Sequence, residues 1–465
     1  MEQSNGPRRL HDLSSSDIDW TKYKNKNYLH FDKNVGIKHI KKDIQNDEWI
    51  SSYAFLPFIK FEIVFKKYIT LKNRDQEGNI VEEKVIRKKE RNIMYSAHKD
   101  SFIHKYYGEL LNNAYNAYAL THGIDNIATA YRNNKPGKNN IDFAYEVFEH
   151  MHNQSSALII SMDFTKFFDK ISHTHLKRNL KEVLNLNELP KNWYKVFKSI
   201  TKYSYVNKID IDSFLKRKYG IKRLKSMRLS RIMEFKEFKE FKKDNLHYNK
   251  NVFGIPQGSG ISAVFSNVHL INFDKEILEW SKSKNVNSLY RRYCDDLILI
   301  IPINNIDKAK TSTCIEEIFE IIKRYESSGL EIQYEKTEVR FFEKNQIYKI
   351  SDINKDKKIL SSLDYLGFVT DGKFLRIREK SLFKYFTRAY KKAKASKRIG
   401  YATKRPGPKR ELYDLYTHLG YDYKEYGNFV TYAYRAHKIM SKLPSKSMIK
   451  KQVKRHWLKI NKRLS

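Results

Sequence analysis

The chain has 465 residues, a length that suits two or three subdomains better than one compact domain. Lys and Arg exceed Asp and Glu by 37, an excess of positive charge that favours a polyanionic partner. With only Cys294 and Cys314, a disulfide framework or a structural zinc site is unsupported, and we expect a reducing, cytoplasmic location. We expect neither a signal peptide nor membrane association, because no apolar run approaches the ~18 residues of a membrane helix.

The first third of the chain predicts one strand and two helices. Residues 57–69 alternate apolar and basic side chains and predict a strand, whereas the charge-rich residues 72–89 predict a loop or hairpin tip. Aromatic and leucine residues spaced three and four apart predict a helix over 98–120, and a second helix is predicted over 141–151. Between these helices lies a basic loop, residues 132–138.

A short apolar strand over 157–163 is predicted to end in Asp163. A carboxylate at the end of a strand, followed by backbone N–H groups, is a common way to present an oxygen ligand to Mg²⁺. Further along, residues 253–267 form a Pro- and Gly-rich loop that leads into a helix of small and apolar residues. Glycines permit close backbone approach to a ligand, and a helix start offers free N–H groups.

A basic insertion occupies about residues 190–250. Three Glu-Phe-Lys repeats begin at Glu234, Glu237 and Glu240, and Glu and Lys at this spacing favour a helix. Two interpretations stay open: the insertion contacts RNA, or it is a solvated helix whose phenylalanines pack on the central domain.

Asp295 and Asp296 are adjacent carboxylates inside an apolar run, residues 289–301. The flanks have high strand propensity and the Asp-Asp pair has low propensity, so the pattern predicts strand, tight turn, strand with both carboxylates at the tip. Burying two like charges is costly unless a cation neutralises them, which suggests a divalent-metal site. An ordinary surface turn is the alternative, and for an Asp-Asp pair taken alone it is the commoner one.

In chain order, these segments resemble the motifs of the reverse transcriptases. The first three motifs correspond to 163–169, to Pro256-Gln257-Gly258 and to Tyr293-Cys294-Asp295-Asp296; the fourth and fifth correspond to 329–337 and 365–368. The resemblance covers about residues 90–395, and it is closer to bacterial retron, group II intron and abortive-infection enzymes than to viral ones. Residues 98–107 and 130–141 resemble the fingers of the defence-associated group.

The resemblance implies an α+β fold, a right-hand polymerase with fingers, a palm and a helical thumb. The palm would be a small antiparallel sheet backed by helices. The implied division is an N-terminal extension over 1–90, fingers over 91–156, a palm over 157–375 and a basic helical thumb over 376–465.

The resemblance also implies residue roles. Asp163, Asp295 and Asp296, with the main-chain oxygen of Phe164, would hold two Mg²⁺ ions, for which Mn²⁺ is an alternative, and Lys336 would protonate the leaving pyrophosphate. Phe168 would crowd a 2′-hydroxyl and so select deoxynucleotides; a core role is the alternative. The remaining roles concern contacts to the incoming nucleotide and to the primer, for which the residues are Arg132, Lys138, Gln257 and Gly258 (nucleotide) and Tyr293, Tyr365 and Gly367 (primer).

The function implied is RNA-directed DNA synthesis, in bacterial antiviral defence. The partners would be dNTPs, an RNA template such as a noncoding RNA, the DNA product, and either a second polymerase subunit or a further copy of the chain. Two alternatives stay open, an RNA-templated RNA polymerase and a catalytically idle RNA-binding scaffold. Phe168 argues against the first, and the presence of all three carboxylates argues against the second.

Overall fold

The computed structural model describes residues 18–74, 80–303, 308–332, 337–352 and 355–464. Helices and mostly antiparallel sheets are mixed along the chain, so the predicted α+β class is confirmed. Within the described ranges, no helix is long and apolar enough to cross a membrane.

The N-terminal region contains two short helices, a long β-hairpin and two longer helices. Their bounds are α1 (Lys41–Ile44), α2 (Asp47–Ser52), β1 (Phe58–Arg74), β2 (Ile80–Tyr95), α3 (His98–Thr121) and α4 (Asn140–His152). The predicted strand and both predicted helices are confirmed. Of the two alternatives predicted for 72–89, the loop is wrong for most of its length, because β1 and β2 pair continuously up to Arg74 and Ile80. The pairing does form a hairpin, as the other alternative has it, and residues 75–79 lie outside the described residues. Backbone pairing along the hairpin therefore overrides the charge-rich composition.

The partly buried Asp32 and the buried Asp100 connect the N-terminal residues to the start of α3. Asp32 accepts hydrogen bonds from the backbone N–H groups of His98 (3.1 Å) and Lys99 (3.0 Å), which are otherwise unsatisfied at a helix start. Asp100, 1% exposed, accepts from the Tyr53 hydroxyl at 2.8 Å and from the Leu56 N–H at 3.0 Å.

The central region carries most of the strands. Its elements up to the first loop are β3 (Ser156–Asp163), α5 (Phe167–Lys170), α6 (His173–Val183), α7 (Lys191–Thr201), β4 (Ser204–Asn207), α8 (Lys208–Tyr219), α9 (Ile221–Ser226), α10 (Phe235–Asn245) and β5 (His247–Tyr248). The remainder are α11 (Gly260–His269), α12 (Ile271–Lys284), β6 (Leu289–Tyr293), β7 (Asp296–Pro302), α13 (Lys308–Arg324), β8 (Glu338–Glu343), β9 (Gln346–Asp352), β10 (Lys355–Leu360), β11 (Leu363–Tyr365), β12 (Phe368–Thr370) and β13 (Phe374–Ile377).

A six-stranded antiparallel sheet, in the order β10-β9-β8-β3-β7-β6, forms the centre of the molecule. Both faces of β3 and β7 are buried. Leu158 and Ile160 join the hydrophobic core under α3, α6, α11 and α12, whereas Ile159 and Ile300 join a second core with α4. Burial on both faces explains why these strands read as continuous apolar runs rather than as alternating ones.

The insertion forms a small unit with the N-terminal hairpin. β4 pairs in parallel with β1, and β5 pairs with β4, which gives the sheet order β2-β1-β4-β5. The predicted helix of the Glu-Phe-Lys repeats is confirmed as α10. Its buried Phe238 and Phe241 pack with Phe31 and Ile59 rather than on the central sheet, so the alternative interpretation had the wrong packing partner.

The C-terminal region is helical except for one short strand. Its elements are α14 (Glu379–Thr403), α15 (Arg410–Tyr416), α16 (Phe429–Met440), β14 (Lys446–Ser447), α17 (Ile449–Val453) and α18 (His456–Asn461). β14 pairs in parallel with β13, and α16 and α17 pack on the second face of the central sheet. Single-turn 3₁₀ helices complete the described secondary structure at Trp20–Lys22, Ile37–His39, Glu326–Ser328, His418–Gly420 and Tyr423–Glu425.

Burial raises the pKa of Asp100 to about 7, so the folded protein retains a proton that the unfolded chain releases near pH 4. Between these values the folded state binds more protons, and the contribution of Asp100 to stability is lost as pH rises. We expect Asp100→Asn to remove part of this pH dependence, at most ~1.4 kcal/mol per pH unit for one proton. Urea unfolding from pH 4 to 8, with the exposed Asp43→Asn as control, measures it; equal slopes for wild type and Asp100→Asn would contradict the prediction.

Candidate active site

The predicted strand–turn–strand around the Asp-Asp pair is confirmed. β6 and β7 are antiparallel, with Tyr293 opposite Asp296, and Cys294 and Asp295 form the turn between them. Cys294 has φ 61°, a left-handed conformation that is unfavourable for a residue with a β-carbon.

Strand β3 brings the third carboxylate to the same place. Asp163 is the last residue of β3 and lies directly opposite Asp296 in the register of β3 against β7. The Phe164 N–H donates to the Asp295 carbonyl at 3.3 Å, which fastens the chain after Asp163 to the turn. The three predicted metal-binding carboxylates therefore lie together at one end of the central sheet.

The carboxylates affect one another electrostatically. The Asp296 side chain reaches solvent, yet the surrounding protein restricts its hydration, and this desolvation is the main reason that the pKa of Asp296 rises to about 6. Asp295 and Asp163 raise it further, whereas the nearby Arg378 lowers it. A cluster of negative charges that raises the pKa of one of its carboxyls would be stabilised by a bound cation.

The donor set fits divalent magnesium or manganese without forming a closed cage. Within the described ranges, no group of three or more His, Cys, Asp or Glu side chains is arranged to hold a metal ion by itself. Mg²⁺ is commonly held by one or two carboxylates and completes its shell with water and substrate phosphates, so carboxylates from two strands suffice. The predicted general acid, Lys336, lies outside the described residues.

The Pro-Gln-Gly loop, residues 256–258, lies between the β1–β2 hairpin and the first motif, residues 163–169. The Met94 N–H at the end of β2 donates to the Gln257 carbonyl at 2.9 Å, and the Ile255 N–H donates to the Phe168 carbonyl at 2.9 Å. Gly258 has φ 121°, and a β-carbon there would lie 2.4 Å from the Met94 carbonyl oxygen. Only glycine permits this approach of the loop to β2.

Three phenylalanines of the first motif differ in burial. Phe164 and Phe167 are each 3% exposed and belong to the main hydrophobic core. Phe168 is only partly buried and packs edge-on against Phe167, with ring centroids 5.6 Å apart. Phe168 packs against the main core while part of its surface stays exposed, and its role as a sugar gate stays a prediction.

The nucleotide contact predicted for Arg132 stays a prediction, and the structure gives this side chain internal partners. Its side chain has no exposed surface; it is paired with Asp125 and donates to Asn116 and to the carbonyls of Asp125 and Ala128. These internal partners would compete with a phosphate for the guanidinium. Lys138 is half exposed and is paired with Glu146 at 2.6 Å, so it remains accessible.

Two lysines that sequence reasoning did not single out lie nearer the first motif. Burial raises the pKa of Asp169, and both Lys166 and Lys60 counteract this rise, which places their charges near Asp169. Lys166 lies inside the motif, three residues after Asp163, which was an available signal. Lys60 comes near Asp169 only through the folding of β1 and had no such signal.

Of the predicted primer-side residues, Tyr365 and Gly367 lie in the hairpin of β11 and β12, whereas Tyr293 ends β6. Leu366 and Gly367, with φ 46° and 92°, form the turn between β11 and β12. Asn140 donates to the Leu366 carbonyl at 3.0 Å, which links this turn to α4. Tyr365 is buried, and its hydroxyl has no hydrogen-bond partner among the described residues. Burial raises its pKa first, and the charge of Asp296 raises it further, so Tyr365 lies near the carboxylates.

A buried ion pair that sequence reasoning missed lies beneath the turn. Arg292 and Asp274 have no exposed side-chain surface, and the shortest distance between them, from Arg292 Nη2 to Asp274 Oδ2, is 2.6 Å. Tyr290 and Arg292 occupy the inward positions of β6. The sequence did contain a signal for this pair, because Arg292 lies at a strand position whose side chain points into the core. An Arg at such a position is rarely buried without an acidic partner.

Comparison with known proteins identifies the family. The family described as reverse transcriptase (RNA-dependent DNA polymerase) matches residues 106–370, more than half of the chain. No curated protein has a sequence that matches this chain.

Among solved structures, three telomerases are similar at 12% sequence identity. Truncated apo telomerase from Candida tropicalis has a TM-score of 0.35, with 72% of this chain and 58% of that chain covered. Telomerase from Candida albicans in complex with a telomeric RNA fragment has a TM-score of 0.37, with 94% of this chain and 71% of that chain covered. Apo telomerase from Candida tropicalis has a TM-score of 0.35, with 66% of this chain and 49% of that chain covered. At this level of similarity, nothing about activity or partners transfers from the telomerases.

The family match spans the segment that carries the first three motifs, the central sheet and the hairpin of Tyr365. It confirms the predicted right-hand polymerase fold class. The chain belongs to the reverse transcriptase family, the RNA-dependent DNA polymerases.

Proposed function

We propose that this protein adds deoxynucleotides to the 3′ end of a primer on an RNA template. The observation that carries the proposal is the register of β3 against β7, which sets Asp163 opposite Asp296 and beside the turn of Asp295. Nucleotidyl transfer requires carboxylates from separate strands to converge on one point. The idle-scaffold alternative gives no reason for three carboxylates to lie together.

The metal ions would be held by the Asp163 and Asp295 carboxylates and the Phe164 main-chain oxygen, with Asp296 as a weaker ligand. Two bound ions would lower the pKa of the primer hydroxyl and stabilise the leaving pyrophosphate. The raised pKa of Asp296 supports this assignment, since a cation would relieve the repulsion among the three groups.

The incoming dNTP would lie between the first motif and the Pro-Gln-Gly loop. Gln257 and Gly258 would pack against the nucleotide, and Phe168 would face its C2′ atom. Lys60 and Lys166 supply positive charge beside Asp169, and they are better candidates for the triphosphate than the buried Arg132. Lys138 is exposed but paired with Glu146, which makes it the weaker candidate.

The primer end would contact Tyr293 and the turn of Tyr365 and Gly367. Both segments border the carboxylates. Burial is the main reason that the pKa values of Tyr293 and Tyr365 are raised, and the charge of Asp296 raises both pKa values further. We further propose that residues 91–156, 157–375 and 376–465 act as fingers, palm and thumb, with the helical thumb on the duplex product.

The net charge of +37 supports nucleic-acid partners, and a noncoding RNA template is our proposal. Roles in bacterial antiviral defence and a cytoplasmic location rest on the motif resemblance and on composition alone. Assembly with a second polymerase subunit or a further copy of the chain is likewise a proposal from the resemblance.

Asp295→Asn tests the reaction. Removing a charge that holds the ions should lower primer extension at least ~100-fold, because such a cation stabilises the transition state by several kcal/mol. The thermal midpoint should not fall, since the substitution relieves repulsion at the turn. Primer extension and melting are compared with Asp43→Asn, the same chemical change at an exposed site on α1; wild-type extension by Asp295→Asn would sink the assignment.

Phe168→Val tests the sugar gate. A smaller side chain should admit ribonucleotides while deoxynucleotide use stays near wild type, because the gate acts by steric exclusion. The buried neighbour Phe167→Val is the matched control, and it should lower the melting temperature without changing sugar preference. Competition between dNTP and rNTP incorporation is the measurement. If Phe168→Val behaves like Phe167→Val, Phe168 is a core residue; efficient rNTP use by the wild type would favour an RNA polymerase instead.

The insertion is tested by the salt dependence of RNA binding. Lys216, Arg217, Lys222 and Arg223 are exposed on α8 and α9, and replacing all four by Gln should make the slope of log affinity against log salt shallower by ~0.7 for each lost phosphate contact. The same change at exposed Lys24, Lys33, Lys38 and Lys42 controls for net charge. Equal slopes in both variants would mean that the insertion is a solvated surface.

A further inference from the structure

The buried ion pair beneath the turn has a complete set of partners. The Asp274 carboxylate accepts from Arg292 Nε at 3.0 Å, from Arg292 Nη2 at 2.6 Å and from the Tyr290 hydroxyl at 2.8 Å. The guanidinium is therefore fixed on one side by a carboxylate from α12. An Arg held in this forked geometry cannot rotate without breaking several charge-assisted hydrogen bonds.

The other side of the guanidinium reaches the turn itself. Arg292 Nη1 donates to the Cys294 carbonyl at 3.0 Å and to Asn267 Oδ1 at 3.2 Å. Cys294 is the residue in the left-handed conformation, and its carbonyl immediately precedes Asp295. The hydrogen bond from Arg292 thus stabilises the peptide orientation that sets the position of Asp295.

The same residue fastens the outer edge of the sheet. β6 is an edge strand, and the Arg292 backbone pairs outward, its N–H donating to the Ile127 carbonyl at 2.8 Å and its carbonyl accepting from the Thr129 N–H at 2.9 Å. Asn267 donates in turn to the Ala130 carbonyl at 3.0 Å. The loop after α3, helices α11 and α12 and the turn are therefore all joined through Arg292.

Stability alone does not account for charged groups at this place. Apolar side chains of similar volume commonly stabilise a core as well as a buried ion pair does, because both ions must be desolvated. An apolar pair, however, has no donor for the Cys294 carbonyl. What the charged pair supplies, and an apolar pair lacks, is a fixed hydrogen bond to the turn.

We propose that Arg292 and Asp274 are positioning residues, which hold the Cys294–Asp295 turn so that the carboxylates of Asp295 and Asp163 meet the same cations. The proposal rests on the proposed function for the identity of the site. Asp274 acts through Arg292, and Arg292 acts through the Cys294 carbonyl; neither contacts substrate.

Arg292→Lys is the first test. A lysine retains the charge that Asp274 needs but, as a single point donor, cannot hold both the carboxylate and the Cys294 carbonyl. Arg291→Lys is the matched control, because Arg291 precedes Arg292 on the same strand, and its Nη1 donates to the Tyr290 carbonyl instead. We expect both variants to melt near the wild-type temperature. Only Arg292→Lys should weaken Mn²⁺ binding to the free protein, measured by electron paramagnetic resonance, by roughly 10-fold or more, as loss of outer-shell support does.

Activity supplies the second readout. Arg292→Lys should raise the Mg²⁺ concentration for half-maximal primer extension and lower kcat, while KM for dNTP changes little, because a loosened turn affects ion placement rather than nucleotide binding. Asp100→Asn, a buried carboxylate with two hydrogen bonds away from the turn, should lower stability without moving either metal readout.

A second variant keeps the test decisive if Arg292→Lys does not fold. Asp274→Val combined with Arg292→Met leaves no unpaired buried charge, so it should fold and still show weakened Mn²⁺ binding. Wild-type Mn²⁺ binding and Mg²⁺ dependence in a folded variant would overturn the positioning role. Failure of both variants to fold would also overturn it, because the pair would then be a requirement for folding. A wild-type protein that makes no DNA, yet binds Mn²⁺ in an Arg292-dependent way, would overturn the proposed function and leave this inference standing.

Discussion

The ion pair between Arg292 and Asp274 lies beneath the turn that carries Asp295, and both side chains are fully excluded from solvent. Above it, three carboxylates lie together at the end of the sheet, and burial and mutual repulsion hold the pKa of Asp296 at about 6 although Arg378 lowers it. The mutual repulsion of these like charges favours displacement of the turn away from β3. The hydrogen bond from Arg292 to the Cys294 carbonyl and the bond from the Phe164 N–H to the Asp295 carbonyl oppose that displacement.

The arrangement depends on a sheet that is covered on both sides. The residues of β3 and β7 alternate between two cores, one beneath α3, α6, α11 and α12 and one beneath α4, α16 and α17. A shift of one residue in their register would exchange these faces, so burial fixes the pairing of Asp163 with Asp296. The position of the carboxylates at the end of the sheet is thus set by the packing of β3 and β7 between the two cores.

The nucleotide side of the site is assembled from segments far apart in the chain. β2 touches the Pro-Gln-Gly loop through Met94, and that loop touches the first motif through Phe168. β1 pairs with β4 of the insertion, so the insertion and the hairpin form one unit with its own small core. A change in the insertion therefore has a route, through the hairpin, to the loop that we propose contacts the nucleotide.

Local patterns in the sequence determined a good deal. The apolar run interrupted by Asp295 and Asp296 predicted two strands and a turn, and the periodicity of α3 and α4 was sufficient to locate both helices. These features depend on residues close together in the chain. The charge-rich strand β2 was misread because its partner in the ladder, β1, overrides its composition, and such pairing is not visible in local propensity.

The partners of charged side chains could not be read from the sequence. Arg132 lies in a basic loop and suggested a phosphate contact, yet Asp125, seven residues earlier, neutralises it inside the fold. Arg292 gave only a weak local signal, because its partner Asp274 lies on a different element and meets it only after α12 packs on the sheet. The sequence by itself determined which residues can ionise and where some elements lie, among them α3, α4 and the turn of Asp295. Only the tertiary structure decided which of those charges are neutralised internally and which remain for a ligand, because the energy of a charge depends on its desolvation and on neighbours that the chain brings together from a distance.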